Sequence, residues 1–311
     1  MSTPTNSMSN SPIDSQLRAP ALIPQSQIFY WSIVREFWEH RSLSVAPLAV
    51  AALFLFGFLL SLVHLPNKIR AAMALDPMKQ HAAIQQPYNI AAMLVMATFI
   101  FVAFFYCLDA LYGERRDRSI LFWKSLPVSD LTTVLSKASI ALFILPLLAF
   151  TITFVLQLTM LVLSSIVLLG SGISPTILWS HVPLFRMSVM LFYHLLGMHG
   201  LYYAPIYGWL LLVSAWARRA PFLWAGLPLL AIGMVEKIAF STSHFGAMLQ
   251  DRFVGGSQAM VYPAAPTDHM NALTPLMVGE FLVSPGLWIG FAFTAAFLAL
   301  AVRLRRYRDP I

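Results

Sequence analysis

Charge is scarce in this chain. Of 311 residues only 11% are Asp, Glu, Lys or Arg, and 59% are apolar. Soluble domains carry about 25% charged and about 45–50% apolar residues, so the composition argues against an ordinary globular enzyme. Cysteine is almost missing: Cys107 stands alone, which rules out an internal disulfide framework and a cysteine-based zinc site. None of the 15 glycines is followed by lysine, so the chain lacks the loop that places backbone amides and a lysine around nucleotide phosphates. Carboxylates are missing from the long apolar runs, apart from Asp109 and Glu236 at their edges. Ion-driven transport needs intramembrane acids to bind and release the coupling ion, and it loses ground on that count. The first 26 residues contain Asp14 and no apolar core, so no cleaved secretory leader is expected.

What the chain has instead is six stretches free of Asp, Glu, Lys and Arg: 42–67, 80–108, 138–185, 187–217, 220–235 and 281–302. They predict an all-α integral membrane protein with six crossings, at 43–65, 90–112, 138–169, 187–216, 220–235 and 285–302, within one six-span body over 43–304. At ~1.5 Å per residue the fifth run reaches only ~24 Å, so length alone leaves it between a crossing and a re-entrant segment. Charge bias decides for a crossing. With six spans and both termini cytoplasmic, 14 of the 20 basic residues fall inside and 6 outside, as the positive-inside rule requires. The net charge of +7 is then a product of topology, and nucleic acid is not an expected partner. Residues 66–89 become an outer loop. Residues 1–26, rich in Ser, Pro, Asn and Gln, read as a disordered cytoplasmic tail, and 305–311 as a basic one. Residues 27–41 place Trp31, Val34 and Trp38 on one helical face and Ser32, Arg35, Glu36 and Glu39 on the other. That pattern suits a helix lying in the membrane interface, the alternative being a plain extension of the first span.

Two non-apolar segments remain, on opposite sides of the membrane. The outer one, 236–284, is irregular and partly apolar. The cytoplasmic one, 113–131, joins spans two and three; in it charged residues 114–118 lead into Ile120, Leu121, Phe122, Trp123 and Leu126, and Pro127 stops the helix. Ser129 or Asp130 then caps the helix that climbs into span three. Such a segment is shaped to lie across the membrane surface and offer side chains to a partner; the simpler reading is a basic loop resting on anionic lipid.

The run ERRDRSILFWKSLPVSD at 114–130, followed by Lys137 at the head of a crossing, resembles the cytoplasmic loop of ABC-2 type transporter permeases. Glu114 and Arg115 match the opening of that motif and Leu126 to Ser129 its Leu-Pro-x-Ser turn, while Arg118 and Ser119 stand where Gly-Thr is more usual. The resemblance implies a permease of an ABC exporter in a bacterial plasma membrane. It would pair with a second permease, identical or different, and with two copies of an ATPase that binds ATP and Mg in its own chain, so this chain would need no cofactor. The resemblance also implies that the outer segment 236–284 dips partly back into the membrane. Glu114, Arg115, Arg116, Arg118, Ile120, Phe122, Trp123, Leu126 and Pro127 would form the ATPase contact.

Within the apolar runs, Gln157, His194 and His199 are the polar candidates for a substrate path, since exposing them to lipid tails is costly. On an ideal α-helix the two histidines stand ~140° apart, a poor arrangement for joint metal chelation. The plainer account is that they bond a neighbouring helix or line a wet cavity. Two further functions stay open on sequence grounds: a non-transporting membrane anchor or sensor for such an ATPase, and a membrane-embedded enzyme.

Overall fold

The computed structural model of the protein describes residues 24–125, 128–254 and 282–307. Among these residues every regular element is helical, and five helices are long and apolar enough to cross a membrane. In chain order these elements are α1 (Gln25–Glu39), α2 (Ser42–Met73, with one tight turn at Leu62–His64), α3 (Pro77–Asp109), α4 (Tyr112–Arg116) and α5 (Ser119–Ser125). There follow α6 (Asp130–Gly170, with one wide turn at Ile140–Ile144), α7 (Thr176–His181), α8 (Leu184–Tyr193), a π-helical segment (His194–Tyr202) and α9 (Ala204–Trp216). The last are α10 (Pro221–Phe240), α11 (His244–Val254) and α12 (Pro285–Tyr307). The five long apolar helices are α2, α3, α6, α10 and α12.

The sequence expectation needs correction at several boundaries. The expected loop 66–89 is helical on both sides of a short break at 74–76, where Pro77 starts α3 in the first-turn position that needs no amide donor. The helix that carries the third run opens at Asp130, ahead of residue 138, where Ser129 accepts a bond from the Thr132 amide and caps it. The run expected as one span over 187–216 is in pieces: α8, the π segment, and α9 after a break at Tyr203. The fifth run is longer than its charge-free stretch, for α10 carries Glu236 and Lys237 in its last turns and ends at Phe240. Glu236 accepts from Thr242 and from the amides of His244 and Phe245, so the acid at the edge of the run tethers the start of α11. The expected tail 305–311 begins inside α12; residues 308–311, like 1–23 and 255–281, lie outside the described residues.

Helix α3 is the central column of the bundle, burying Ala91, Val95, Phe99 and Ala103 along one stripe against α2, α6 and α9. α9 and α12 pack most intimately. Gly208 allows it: a Cβ there would sit 3.4 Å from both the Phe297 Cβ and the Thr294 Cα. At one end of α12, Arg252 of α11 donates to the Gly286 carbonyl at 2.7 Å and lies over the Tyr202 ring at 4.2 Å. At the other end, Arg305 enters the cluster described next. Of the five long apolar helices α10 is the least embedded, with only Ala225 buried.

Candidate functional site: a buried charge junction beneath the 112–125 segment

Four segments that are remote in sequence converge where α1, the α4–α5 segment, the start of α6 and the end of α12 meet. Lys137 Nζ lies 2.6 Å from Glu36 Oε1 and 3.1 Å from Glu114 Oε1. Arg305 pairs with Glu114 through Nη1 and with Asp130 Oδ1 through Nε at 3.0 Å. Arg35 closes the group, 2.7 Å from Glu36 and 3.9 Å from Glu114. Three acids thus face three bases. Glu36, Glu114, Lys137 and Arg305 are all buried, and such charges persist in an apolar body only when each finds an opposite partner. Tyr106 of α3 adds a phenolic donor 3.2 Å from Glu36 Oε2. Burial pushes the Glu36 carboxyl up; the Lys137 ammonium and the Arg35 guanidinium together outweigh it and hold the acid down at about 2.

The segment above the junction is fixed by local devices as well. The Ser214 hydroxyl of α9 accepts from the amides of Leu111 and Tyr112, at 3.0 and 2.8 Å, satisfying donors that the break after α3 would leave orphaned. Arg115 donates to the carbonyls of Ser214 and Ala217 at 2.8 and 2.6 Å, a cation on the C-terminal carbonyls of α9. Between α4 and α5 the chain turns at Arg118 with φ 57°, a left-handed conformation that glycine adopts freely and arginine rarely does. The guanidinium of Arg35 sits 3.9 Å over the Trp123 ring and ties α5 to α1.

These contacts redistribute the expected contact residues. Glu114 and Arg115 are buried and committed inside the protein, and Ile120 is buried as well, so none of the three is an exposed contact. Arg116 and Arg118 are exposed, Arg116 being paired with Asp117. Phe122 is 60% exposed beside an equally exposed Leu121, whereas Trp123 is half-buried under Arg35. Leu126 and Pro127 lie outside the described residues. The two faces of α1 are also placed. Tyr30, Trp31 and Trp38 of α1 face outward, and its polar stripe, Ser32 and Glu36, faces the protein. The amphipathic pattern separates the two faces, but nothing local in the sequence reveals the buried lysine that meets the polar one. The signal available was the placement of Glu36 and Lys137 beside long apolar runs without an opposite charge at helical spacing in the same run.

The three polar candidates inside the apolar runs are not one cluster. Gln157 is buried on α6, donates to the Tyr88 carbonyl at 3.2 Å and leaves Oε1 without a partner. His194 and His199 are brought together. The ideal-helix separation does not apply, because the backbone from His194 to Tyr202 is π-helical and places residues five apart one above the other. Their ring centroids are 5.1 Å apart, and Tyr203 lies another 5.1 Å beyond His199. No group of three or more His, Cys, Asp or Glu side chains that could hold a metal occurs among the described residues.

No family model, no curated protein and no solved structure matches the chain.

Proposed function

We propose that the chain is the membrane-spanning permease subunit of an ATP-driven ABC-2 type exporter in a bacterial plasma membrane. In this reading α8, the π segment and α9 together form the fourth of six crossings, both termini are cytoplasmic, and 113–131 lies on the cytoplasmic side. Two ATPase copies, which bind ATP and Mg, dock beneath the chain and a second, identical or different, permease; the substrate is hydrophobic or amphipathic. The chain itself hydrolyses nothing and carries no cofactor.

The observation that carries the reading is the mounting of α5. This short helix offers Leu121 and Phe122 outward; Trp123 ties it to α1 under Arg35, and the preceding α4 is tied to α6 and α12 through Glu114. An exposed apolar knob fills a cleft on a partner, and exposed charges such as Arg116 and Arg118 steer the approach. In this reading a push on that knob passes to α1 through Trp123 and, across the Arg118 turn, to α6 and α12 through the ion pairs of Glu114.

The test uses the full chain co-expressed with the ATPase of a neighbouring reading frame and purified in mild detergent. Leu121→Ala with Phe122→Ala removes the exposed knob and leaves the junction untouched; an interface anchor is commonly worth ~2 kcal/mol, so co-purification should fall by more than about tenfold. An unchanged complex with unchanged coupling of hydrolysis to transport would show that α5 is only a surface linker.

A further inference from the structure

At the opposite end of α3 from the charge junction, two histidines come together. His81 stands in the second turn of α3, and His181 is the last residue of α7. Gln85, one turn after His81 on the same face of α3, donates to the His181 carbonyl at 2.9 Å and holds the end of α7 against that helix. The two imidazole rings have centroids 5.7 Å apart. The state of His181 follows from a direct contact: its Nδ1 lies 2.7 Å from the Ile177 carbonyl oxygen. A carbonyl only accepts, so Nδ1 carries the proton and Nε2 presents a lone pair. A backbone carbonyl on the far nitrogen is the same partner that orients histidine ligands at metal sites.

His81 makes no hydrogen bond among the described residues, so turning its ring breaks none. Both side chains are partly exposed, which leaves water free to complete a coordination shell. The chemistry selects the ligand. An anion needs a donor, whereas His181 Nε2 offers a lone pair; calcium and magnesium take oxygen ligands, whereas imidazole suits zinc, copper and nickel. The separation of the rings fits one such ion. A ring nitrogen holds it at ~2.1 Å and lies ~1.1 Å from the ring centre, so two imidazoles on one ion have centres ~5.2 Å apart in a tetrahedral arrangement and ~6.4 Å apart at most. The observed 5.7 Å falls between these limits.

We propose that His81 and His181 form a two-histidine site for a divalent transition-metal ion, which clamps α7 to α3. Water supplies the remaining ligands. Arg186, in the first turn of α8, is near enough for its charge to act on His81; having the same sign as the ion, it lowers the affinity without removing a ligand. The site is independent of the docking reading above, since it uses neither the junction nor α5.

The experiment strips the full chain with EDTA, exchanges it into chelator-free buffer in mild detergent, and titrates it with Zn2+ near neutral pH. One ion should bind per chain. With Zn2+ at about ten times its Kd, amide exchange should slow about tenfold in the peptides that carry His81 and His181, and stay unchanged in those that carry His194 and His199. His81→Gln and His181→Gln should each weaken binding at least about tenfold, since loss of an outer-shell partner alone commonly costs that much. No one-to-one binding overturns the proposal, as do protection confined to other peptides and affinity that survives both substitutions. Because the wild-type exchange pattern decides by itself, a variant that fails to fold does not blunt the test. No ATPase is present, so this outcome and the docking outcome at Leu121 and Phe122 are read independently.

Discussion

The Lys137 ammonium lies 2.6 Å from the Glu36 carboxylate, neither side chain reaches solvent, and 101 residues of chain separate them. The pair makes α1 a structural part of the bundle. It also joins the helix that carries the outward aromatic face to the head of α6, where Glu114 and Arg305 complete the balance of charge.

Removing one partner should cost far more than removing both. Lys137→Met leaves Glu36 and Glu114 buried with one base fewer, and an uncompensated buried charge costs about 3–5 kcal/mol. Thermal unfolding in detergent should therefore show a large loss for Lys137→Met, and a substantially smaller loss when Glu36→Gln is added. Additive losses in that double-mutant cycle would mean that the two side chains do not interact.

Acid should weaken the protein through Glu36. Its carboxyl is held at about 2 in the folded protein, below its ordinary 4.5. A depressed folded value contributes stability above the unfolded value and loses it as pH falls through the folded one. Chemical unfolding followed from pH 5 downwards should show stability falling between pH 4.5 and about 2, with a shallower slope in Glu36→Gln. An identical slope in the variant would remove Glu36 from the account.

Glycine positions offer a packing test. Gly200→Ala would put a Cβ 2.6 Å from the Leu142 carbonyl oxygen, so the backbone must shift, whereas Gly57→Ala meets nothing within 4 Å. Forced overpacking typically costs about 1–3 kcal/mol. Melting temperatures should drop for Gly200→Ala and hold or rise for Gly57→Ala, whose helix interior favours alanine.

Membrane orientation is open to direct labelling. In a Cys107→Ala background, single cysteines at Asp117 and Arg308 should react with an impermeant reagent only after the cell is opened, and one at Lys79 should react from outside. Outside labelling at position 308 would reject six crossings, since an odd number of crossings places the two termini on opposite sides.

The membrane character of this chain is a matter of its sequence alone. Long runs without charge cannot be solvated as loops, and their backbone must be satisfied within the run, so helices such as α2, α3 and α12 were legible before any coordinates. The same local logic narrowed the cap to Ser129 or Asp130, of which the structure uses Ser129, and located the short helix containing Phe122. Tertiary structure decided which face of α1 turns inward, because hydrophobic periodicity separates Glu36 from Trp31 but cannot say that the polar side meets a buried lysine. It also decided that Glu114 is an internal anchor for Arg305, its partner 191 residues away; a charge in a sequence carries no label for a partner brought near only by packing. The pairing of His194 with His199 was hidden for a different reason. Whether a helix adds one residue to a turn depends on the neighbours that receive it, and here Gly200 against Leu142 creates the fit. Local sequence therefore settled that the long apolar runs are helical, while packing settled where the run at 187–216 breaks and what each charged or polar side chain touches.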